Sequence, residues 1–472
     1  MPRPLVGLLG WVGLVPLIWA ATRCTPSRAF SLGYFAGLLF FLGTLYWVSY
    51  VSIAGTLLLV CYLALYPAAF ALGCQMLNGF KPLFFWLCVP TLWVALELVR
   101  GILFTGFPWG LLAYTQSKFL PVIQIADVFG AYGVSWLVAA VNAAIFLVIV
   151  RCERAKATVM LTTFLLTASL AYGYLSLHAP SQSGPEVAVV QGNIPQEEKW
   201  EPDYAAHILG RYDELTRLAR ERHHPDLIIW PETAFPGYYP NDPQSGTLAA
   251  LAQNLETPLL IGSPVLEEGR VMNSALLFNQ DGALVTRYDK IHLVPFGEYL
   301  PLGGLFSFLK SYDPRIGEFS PGTEFTVFET GGTAFSILIC FEDIFPGLAR
   351  QFVRRGARFL VNITNDAWFG DTAAPHQHLE ASIFRAVENG VSVVRSANTG
   401  VSCVIDPWGR VTAQVAETPG GKLTFVEGVS SARLYMRDPT CYTRVGDIFA
   451  WTCLAGTILA LGLSKFVRLR NI

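Results

Sequence analysis

The sequence predicts an α/β domain carried between two blocks of membrane-spanning helices, and three observations lead there. The chain of 472 residues is 53% hydrophobic and only 14% charged, with a mean hydropathy of +0.43, too apolar and too charge-poor for a water-soluble protein of this size. The apolarity gathers at the two ends, whereas almost all acidic residues lie between about positions 186 and 440. Within that middle stretch, short β-rich runs alternate with helical patterns.

Apolar windows of spanning length fall at residues 5–21, 30–51, 56–77, 82–99, 122–150 and 159–177, with a last one at 448–467. Six spans therefore precede the middle domain and one follows it. The expected divisions are 1–178 for the first helices, 186–440 for the α/β domain, and 446–472 for the last helix and its tail. HAPSQSGP, residues 178–185, is the linker by composition.

Positive charges set the orientation. Arg23 and Arg28, Lys81, then Arg151, Arg154 and Lys156, and finally Lys465, Arg468 and Arg470 all fall on one side of the windows; Arg3, Arg100 and Lys118 oppose them. The majority marks the cytoplasmic side, which places the middle domain outside, in the periplasm of a double-membrane bacterium. The same parity puts Met1 outside with no cleavable signal pattern ahead of it, so the chain reads as beginning one helix late. Residues 101–121, rich in aromatics (FTGFPWG, Tyr114), share the middle domain's side, either as a lipid-facing entrance or as interfacial anchors.

Some function classes drop out. A net charge of −2 without a basic stripe leaves no nucleic-acid footprint. Nine cysteines is an odd number. Cys24, Cys61, Cys74, Cys88, Cys152 and Cys453 lie in or beside apolar segments, leaving Cys340, Cys403 and Cys441 to the middle domain, and no spacing suggests a disulfide framework or a zinc site.

The middle domain reads in order as EVAVVQGN, a helix over 203–223, DLIIWPE, a helix over 246–255, PLLIGSP, NSALLFN, ALVTRYD, FTVFET and AFSILIC. A helix to Arg355, FLVNITND, a helix over 377–389, VSVVRSAN, SCVIDPWG and KLTFVEG complete it. Several strands are apolar on both faces, which requires a sheet covered by helices or by a second sheet.

Three of these runs stop at polar residues. LIIWPE ends in Glu232, RYDKIHLVPFGE carries Lys290 and Glu298, and FSILIC ends in Cys340 with Glu342 close behind. Sites in such sheets form at strand ends. A glutamate, a lysine and a cysteine supply a base for a thiol proton, a cation for a developing oxyanion, and a nucleophile, the set that acyl transfer through a thioester needs. A strand–turn–helix at Cys340 would aim the thiol at a helix N-terminus and favour thiolate.

WPET at Glu232, YDKIHLVPFGEYLP at Lys290 and CFED at Cys340 resemble the Glu-Lys-Cys triad of the nitrilase superfamily. With a multi-helix apolar frame on both sides, and with VVQGNIPQEEKW, TNDAWFGD and RSANTG, the whole chain is similar to the apolipoprotein N-acyltransferases. The resemblance implies a nitrilase-like αββα sandwich inserted into a polytopic membrane domain, on the periplasmic side of the bacterial inner membrane. It implies Cys340 as nucleophile, Glu232 as base and Lys290 as oxyanion cation, with Glu298, Glu342 and Trp200 in support. Its acyl donor would be a phospholipid and its acceptor a diacylglyceryl-modified lipoprotein, with membrane lipids as surroundings, no cofactor, and a monomer as the working unit. Members also carry an additional first helix.

A membrane-anchored amidohydrolase of nitrilase type is the alternative, with water as second acceptor. Asp366, His376 and His378 could be written as a metal cluster, but the proposed chemistry needs no Lewis acid and the spacing matches no standard site, so no metal is expected. Asn365, Asp366 and Trp368 are read as pocket floor, and GGLFSFLKSY, residues 303–312, as a lid that dips into lipid.

Overall fold

The computed structural model describes residues 4–152, 155–300 and 319–470. The chain divides into two compact units, Met1–Ala179 together with Thr440–Ile472, and Pro180–Pro439. Cys441, expected in the middle domain, lies on the short helix Cys441–Val445 of the first unit.

The first unit is helical. Among the described residues, four helices are long and apolar enough to cross a membrane: Ile53–Leu77, Pro82–Thr105, Ala126–Ile149 and Ala155–Ser176, with a shorter apolar stretch at Ile448–Ser464. Seven windows were expected. The window at 5–21 is broken into Pro4–Leu9 and Val15–Ala21. Glycines at 7, 10 and 13 weaken helix between them, and Pro16 opens the second piece at a position where its missing N–H costs nothing. The 30–51 window ends its helix at Thr44 and finishes as a 3-10 turn, Tyr46–Tyr50. Pro67 marks the bend between Ile53–Leu63 and Leu65–Leu77, since its ring crowds the carbonyl four residues back. An apolar cavity of about 440 Å3, lined by Leu14, Phe41 and Trp93 among others, also touches Glu97 and Arg100.

The second unit holds two six-stranded sheets. The strands are β1 (Gln182–Gln191), β2 (Leu227–Ile229), β3 (Leu259–Glu267), β4 (Arg270–Phe278), β5 (Leu284–Asp289) and β6 (Phe328–Thr330). They continue as β7 (Thr333–Ile339), β8 (Phe359–Thr364), β9 (Ser392–Ala397), β10 (Cys403–Ile405), β11 (Val411–Gln414) and β12 (Gly428–Met436). One sheet runs β12-β1-β2-β3-β4-β5 and the other β11-β10-β9-β8-β7-β6. Each has a parallel centre, β1-β2-β3 and β7-β8-β9, with antiparallel flanks. Helices Ala205–His223 and Ser245–Leu255 make the crossovers of the first sheet, Pro346–Arg354 and Ala374–Asn389 those of the second. The central strands are buried on both faces, helices covering one and the other sheet the second. Ser396 of β9 donates to the carbonyls of Val190 and Ile229 in the opposite sheet, both at 3.1 Å.

Two edge assignments differ from the sequence reading. KLTFVEG is not a strand: Phe425 sits at φ +54° and breaks the extended run. The strands there are β11 and β12, whose half-exposed edge positions dilute the apolar pattern that marks the centre.

Candidate active site

Glu232, Lys290 and Cys340 each stand just past the end of a strand, β2, β5 and β7 respectively. Beneath Glu232 the neighbouring strand must carry glycine: a Cβ on Gly262 would lie 2.3 Å from the Pro231 carbonyl. Lys290 extends the β4–β5 ladder by one residue, its N–H donating to the Asn273 carbonyl at 2.8 Å. Cys340 takes φ +53°, a left-handed conformation that costs a residue with a Cβ and turns its side chain out of the strand.

The charged groups converge. The Lys290 ammonium, 1% exposed, donates to Glu298 Oε1 at 2.9 Å and lies 3.5 Å from Glu232 Oε1. Asn273 Nδ2 bridges the same two carboxylates, 2.8 Å to Glu232 and 3.0 Å to Glu298. The other oxygen of Glu232 accepts the Asn365 N–H at 2.9 Å, and that of Glu298 the Val294 N–H at 2.8 Å. Burial alone would pull the Lys290 pKa down, but Glu298, Glu232 and Cys340 outweigh it and push it above the ordinary lysine value. It is a permanent cation.

Cys340 behaves differently from the expected helix-terminus thiolate. A 3-10 turn, Cys340–Ile344, separates it from the helix Pro346–Arg354, so no long helix points its dipole at the sulfur. Burial and the nearby Glu232 push the thiol pKa well above its usual value, with Lys290 opposing. With thiol favoured over thiolate, Cys340 would need a base to act as a nucleophile.

Glu342 is buried and accepts four hydrogen bonds. Oε1 takes the Tyr288 hydroxyl at 2.8 Å and the Ile291 and His292 N–H groups at 2.8 and 2.9 Å; Oε2 takes the Ile339 N–H at 2.7 Å. Trp200 is half-exposed, and the residue of its segment that reaches the site is its neighbour. Lys199, 3% exposed, donates to the Glu232 carbonyl at 3.0 Å, and burial lowers its pKa to about 7 against the pull of Glu232 and Cys340. Gln196 of the same segment accepts from the Asn365 side chain at 2.9 Å. Asn365 and Asp366 are buried beside the triad, with Trp368 nearer the surface. His378 and Asp366 do meet, in company with Asp343 and Arg395. The segment 303–312, read as a lid, lies outside the described residues.

Sequence reasoning missed Asn273 and Lys199. Asn273 sits inside an otherwise ordinary strand, and Lys199 in the charged run QEEKW, where a solvated lysine is the usual outcome. The one available signal was the position of Lys199 within a motif already singled out.

Paired mixed sheets with a glutamate, a lysine and a cysteine gathered at strand ends define an enzyme of the nitrilase superfamily, and the carbon-nitrogen hydrolase family matches residues 186–433. The apolipoprotein N-acyltransferase N-terminal domain matches residues 2–144. An apolipoprotein N-acyltransferase of Geobacter metallireducens is 40% identical over 98% of this chain and 92% of its own length. One of Nitrosomonas europaea is 32% identical over 98% and 93%. The chain belongs to the apolipoprotein N-acyltransferase family. Among solved structures, a nitrilase-superfamily protein of Saccharomyces cerevisiae is 24% identical, with a TM-score of 0.41 over 54% of this chain and 90% of that one.

Proposed function

We propose that this chain moves a fatty acyl group from a phospholipid to the α-amine of an N-terminal diacylglyceryl-cysteine, through a thioester on Cys340. The observation that carries the reading is the convergence of a buried carboxylate and a buried ammonium beside a strand-end cysteine: Lys290 lies 3.5 Å from Glu232, and Cys340 stands close enough for both to bear on its thiol. Glu232 takes the thiol proton as sulfur attacks the ester carbon, and Lys290 faces the oxygen that gains charge. Collapse breaks the ester C–O bond, and Glu232 returns the proton to the departing lysophospholipid oxygen. The amine then attacks the thioester, Glu232 takes its proton, the C–S bond breaks, and the proton goes back to sulfur.

Glu298 and Asn273 hold base and cation together, and Glu342 braces the turn behind the nucleophile. The reaction needs no cofactor. The α/β unit works on the periplasmic side of the bacterial inner membrane, as a monomer, where both lipid substrates reside. The assay uses purified full-length protein and a phospholipid labelled in its acyl chain. The native protein should carry a label that hydroxylamine releases, Cys340→Ala none, and a diacylglyceryl-cysteine peptide should collect the label as an amide. Absence of label on the native protein would sink the proposal, and label released only as free fatty acid with the peptide present would point to a hydrolase.

A further inference from the structure

Behind the nucleophile lies a sealed group of four charged side chains that the proposed chemistry does not use. His378, from the helix Ala374–Asn389, directs Nε2 to Asp343 Oδ1 at 2.7 Å and to the Cys340 carbonyl at 3.2 Å. Its Nδ1 faces Asp366 Oδ1 at 3.3 Å. Arg395 of β9 binds the second oxygen of Asp343 at 2.8 Å, the Asn362 side-chain carbonyl at 2.9 Å and the Ser382 hydroxyl oxygen at 2.6 Å, and lies 3.8 Å from Asp366. Ser382 donates to Asp343. Asn362 of β8 closes the ring, donating to the Cys340 and Leu338 carbonyls at 3.1 Å each. His378, Asp343, Asp366, Arg395, Ser382 and Asn362 are each no more than 2% exposed. Even the backbone beside Asp366 is fitted to it: a Cβ on Gly400 would stand 2.0 Å from the carboxylate.

Two features give this group a role beyond packing. The Cys340 carbonyl, the atom it grips, belongs to a residue strained into φ +53°, and such a conformation persists only where surrounding bonds over-determine it. Second, two anions and two cations balance only when His378 carries both ring protons, and both nitrogens have acceptors to receive them.

We propose that His378, as an imidazolium, is a positioning residue for the nucleophile: with Asn362 it latches the Cys340 carbonyl and holds the left-handed turn from which the thiol projects. The proposal rests on Cys340 being the acylated residue.

The groups facing His378 are Asp343 from the turn after β7, Asp366 from the turn after β8 and Arg395 from β9. Burial would pull its pKa down and Arg395 repels it, but the two aspartates prevail and lift it to about 9. Loss of that proton leaves a net buried negative charge and turns one bonded nitrogen into an acceptor facing acceptors. The latch therefore opens as pH rises through about 9.

The full-length protein in detergent tests this with two readouts from pH 6 to 10.5: acyl label from phospholipid, and iodoacetamide alkylation read peptide by peptide. Native acylation should fall above pH 9. His378→Gln should acylate at least tenfold more slowly without that alkaline fall, while Cys340 alkylates severalfold faster and buried Cys403 stays protected. Asp366→Asn should move the fall to lower pH by about one unit. His378→Gln acylating at the native rate, with the same alkaline limb, overturns the proposal. If Cys403 opens in His378→Gln, the decision passes to Asp366→Asn, where an unshifted limb overturns it and a lowered one supports it. If the native protein takes no acyl label, the acyl-transfer reading fails separately, and faster Cys340 alkylation in His378→Gln still supports the latch while an unchanged rate overturns it.

Discussion

Glu342 accepts the hydroxyl proton of Tyr288 at 2.8 Å, and through that bond the turn that presents Cys340 is tied to the strand that leads into Lys290. The tie is stronger than one bond. The same carboxylate takes the N–H groups of Ile291 and His292 on one side and of Ile339 on the other, so Cys340 and Lys290 share a single buried anchor.

All four partners of Glu342 are donors, and this sets the outcome of its most conservative replacement. In Glu342→Gln the amide nitrogen must face at least one N–H, leaving a buried donor unsatisfied at a cost of about 1–3 kcal/mol. We expect thermal unfolding at lower temperature and slower thioester formation, with the lipid KM nearly unchanged. Glu342→Gln behaving as the native protein in both respects would show that the anchor holds nothing.

Asn273 touches both Glu232 and Glu298 through one nitrogen, and Lys290 is the cation between them. Replacing Asn273 by Asp would set a third carboxylate against two. Asn273→Asp should slow acyl-enzyme formation by about a hundredfold, and Asn273→Ala by less, because it removes a brace without adding repulsion. Lys290→Met should be the most severe, near a thousandfold, since it removes the charge that the proposed mechanism sets against the developing oxyanion. Single-turnover labelling of the three variants checks the ranking, and Asn273→Ala slower than Asn273→Asp would reverse the argument.

Glu232, Lys290 and Cys340 could be picked out because each stands where an apolar run stops, and the order glutamate, lysine, cysteine suggests a chemistry without any coordinates. The central strands were legible for a related reason: burial on both faces leaves an unbroken apolar run such as FLVNIT in β8. Legibility failed where partners come from register between strands. Asn273 reaches Glu232 only because β4 lies beside β3 in the first sheet, and Arg395 reaches Asp343 only because β9, β8 and β7 stack in order. Edge strands β11 and β12, half wet, had no clean period to read. Lys199 was hidden by composition, since a lysine among glutamates looks solvated until the chain folds it inward.

Lys199 should leave a mark on stability. Its folded pKa is lowered to about 7, against roughly 10.4 for an exposed lysine. The folded form binds fewer protons than the unfolded form between those values, so stability from this group is complete above the unfolded pKa, drains as pH falls across that window, and is fully lost below about 7. Lys199→Met removes the titration. The unfolding temperature of the native protein, measured relative to Lys199→Met, should climb from pH 7 to pH 10. A difference that stays flat over that range would mean Lys199 keeps its proton throughout.

The raised pKa of Cys340 also governs how readily its thiol is oxidised. Thiolate, not thiol, reacts with peroxide and alkylating agents, and burial together with Glu232 disfavours the thiolate here. The native protein should therefore lose activity to mild peroxide at pH 7 far more slowly than a free cysteine of ordinary pKa would react, and faster as pH rises. Glu232→Gln separates this protection from catalysis. It removes the anion that disfavours thiolate, so Cys340 should oxidise about tenfold faster at the same pH, although acyl transfer is lost with the base. Cys403, buried in β10 with its own thiol pKa pushed up to about 12, serves as the internal reference that the domain stays folded. Slower oxidation of Cys340 in Glu232→Gln would mean that Glu232 generates the reactive thiolate in the resting enzyme rather than suppressing it, and the order of proton transfer and attack would have to be rewritten.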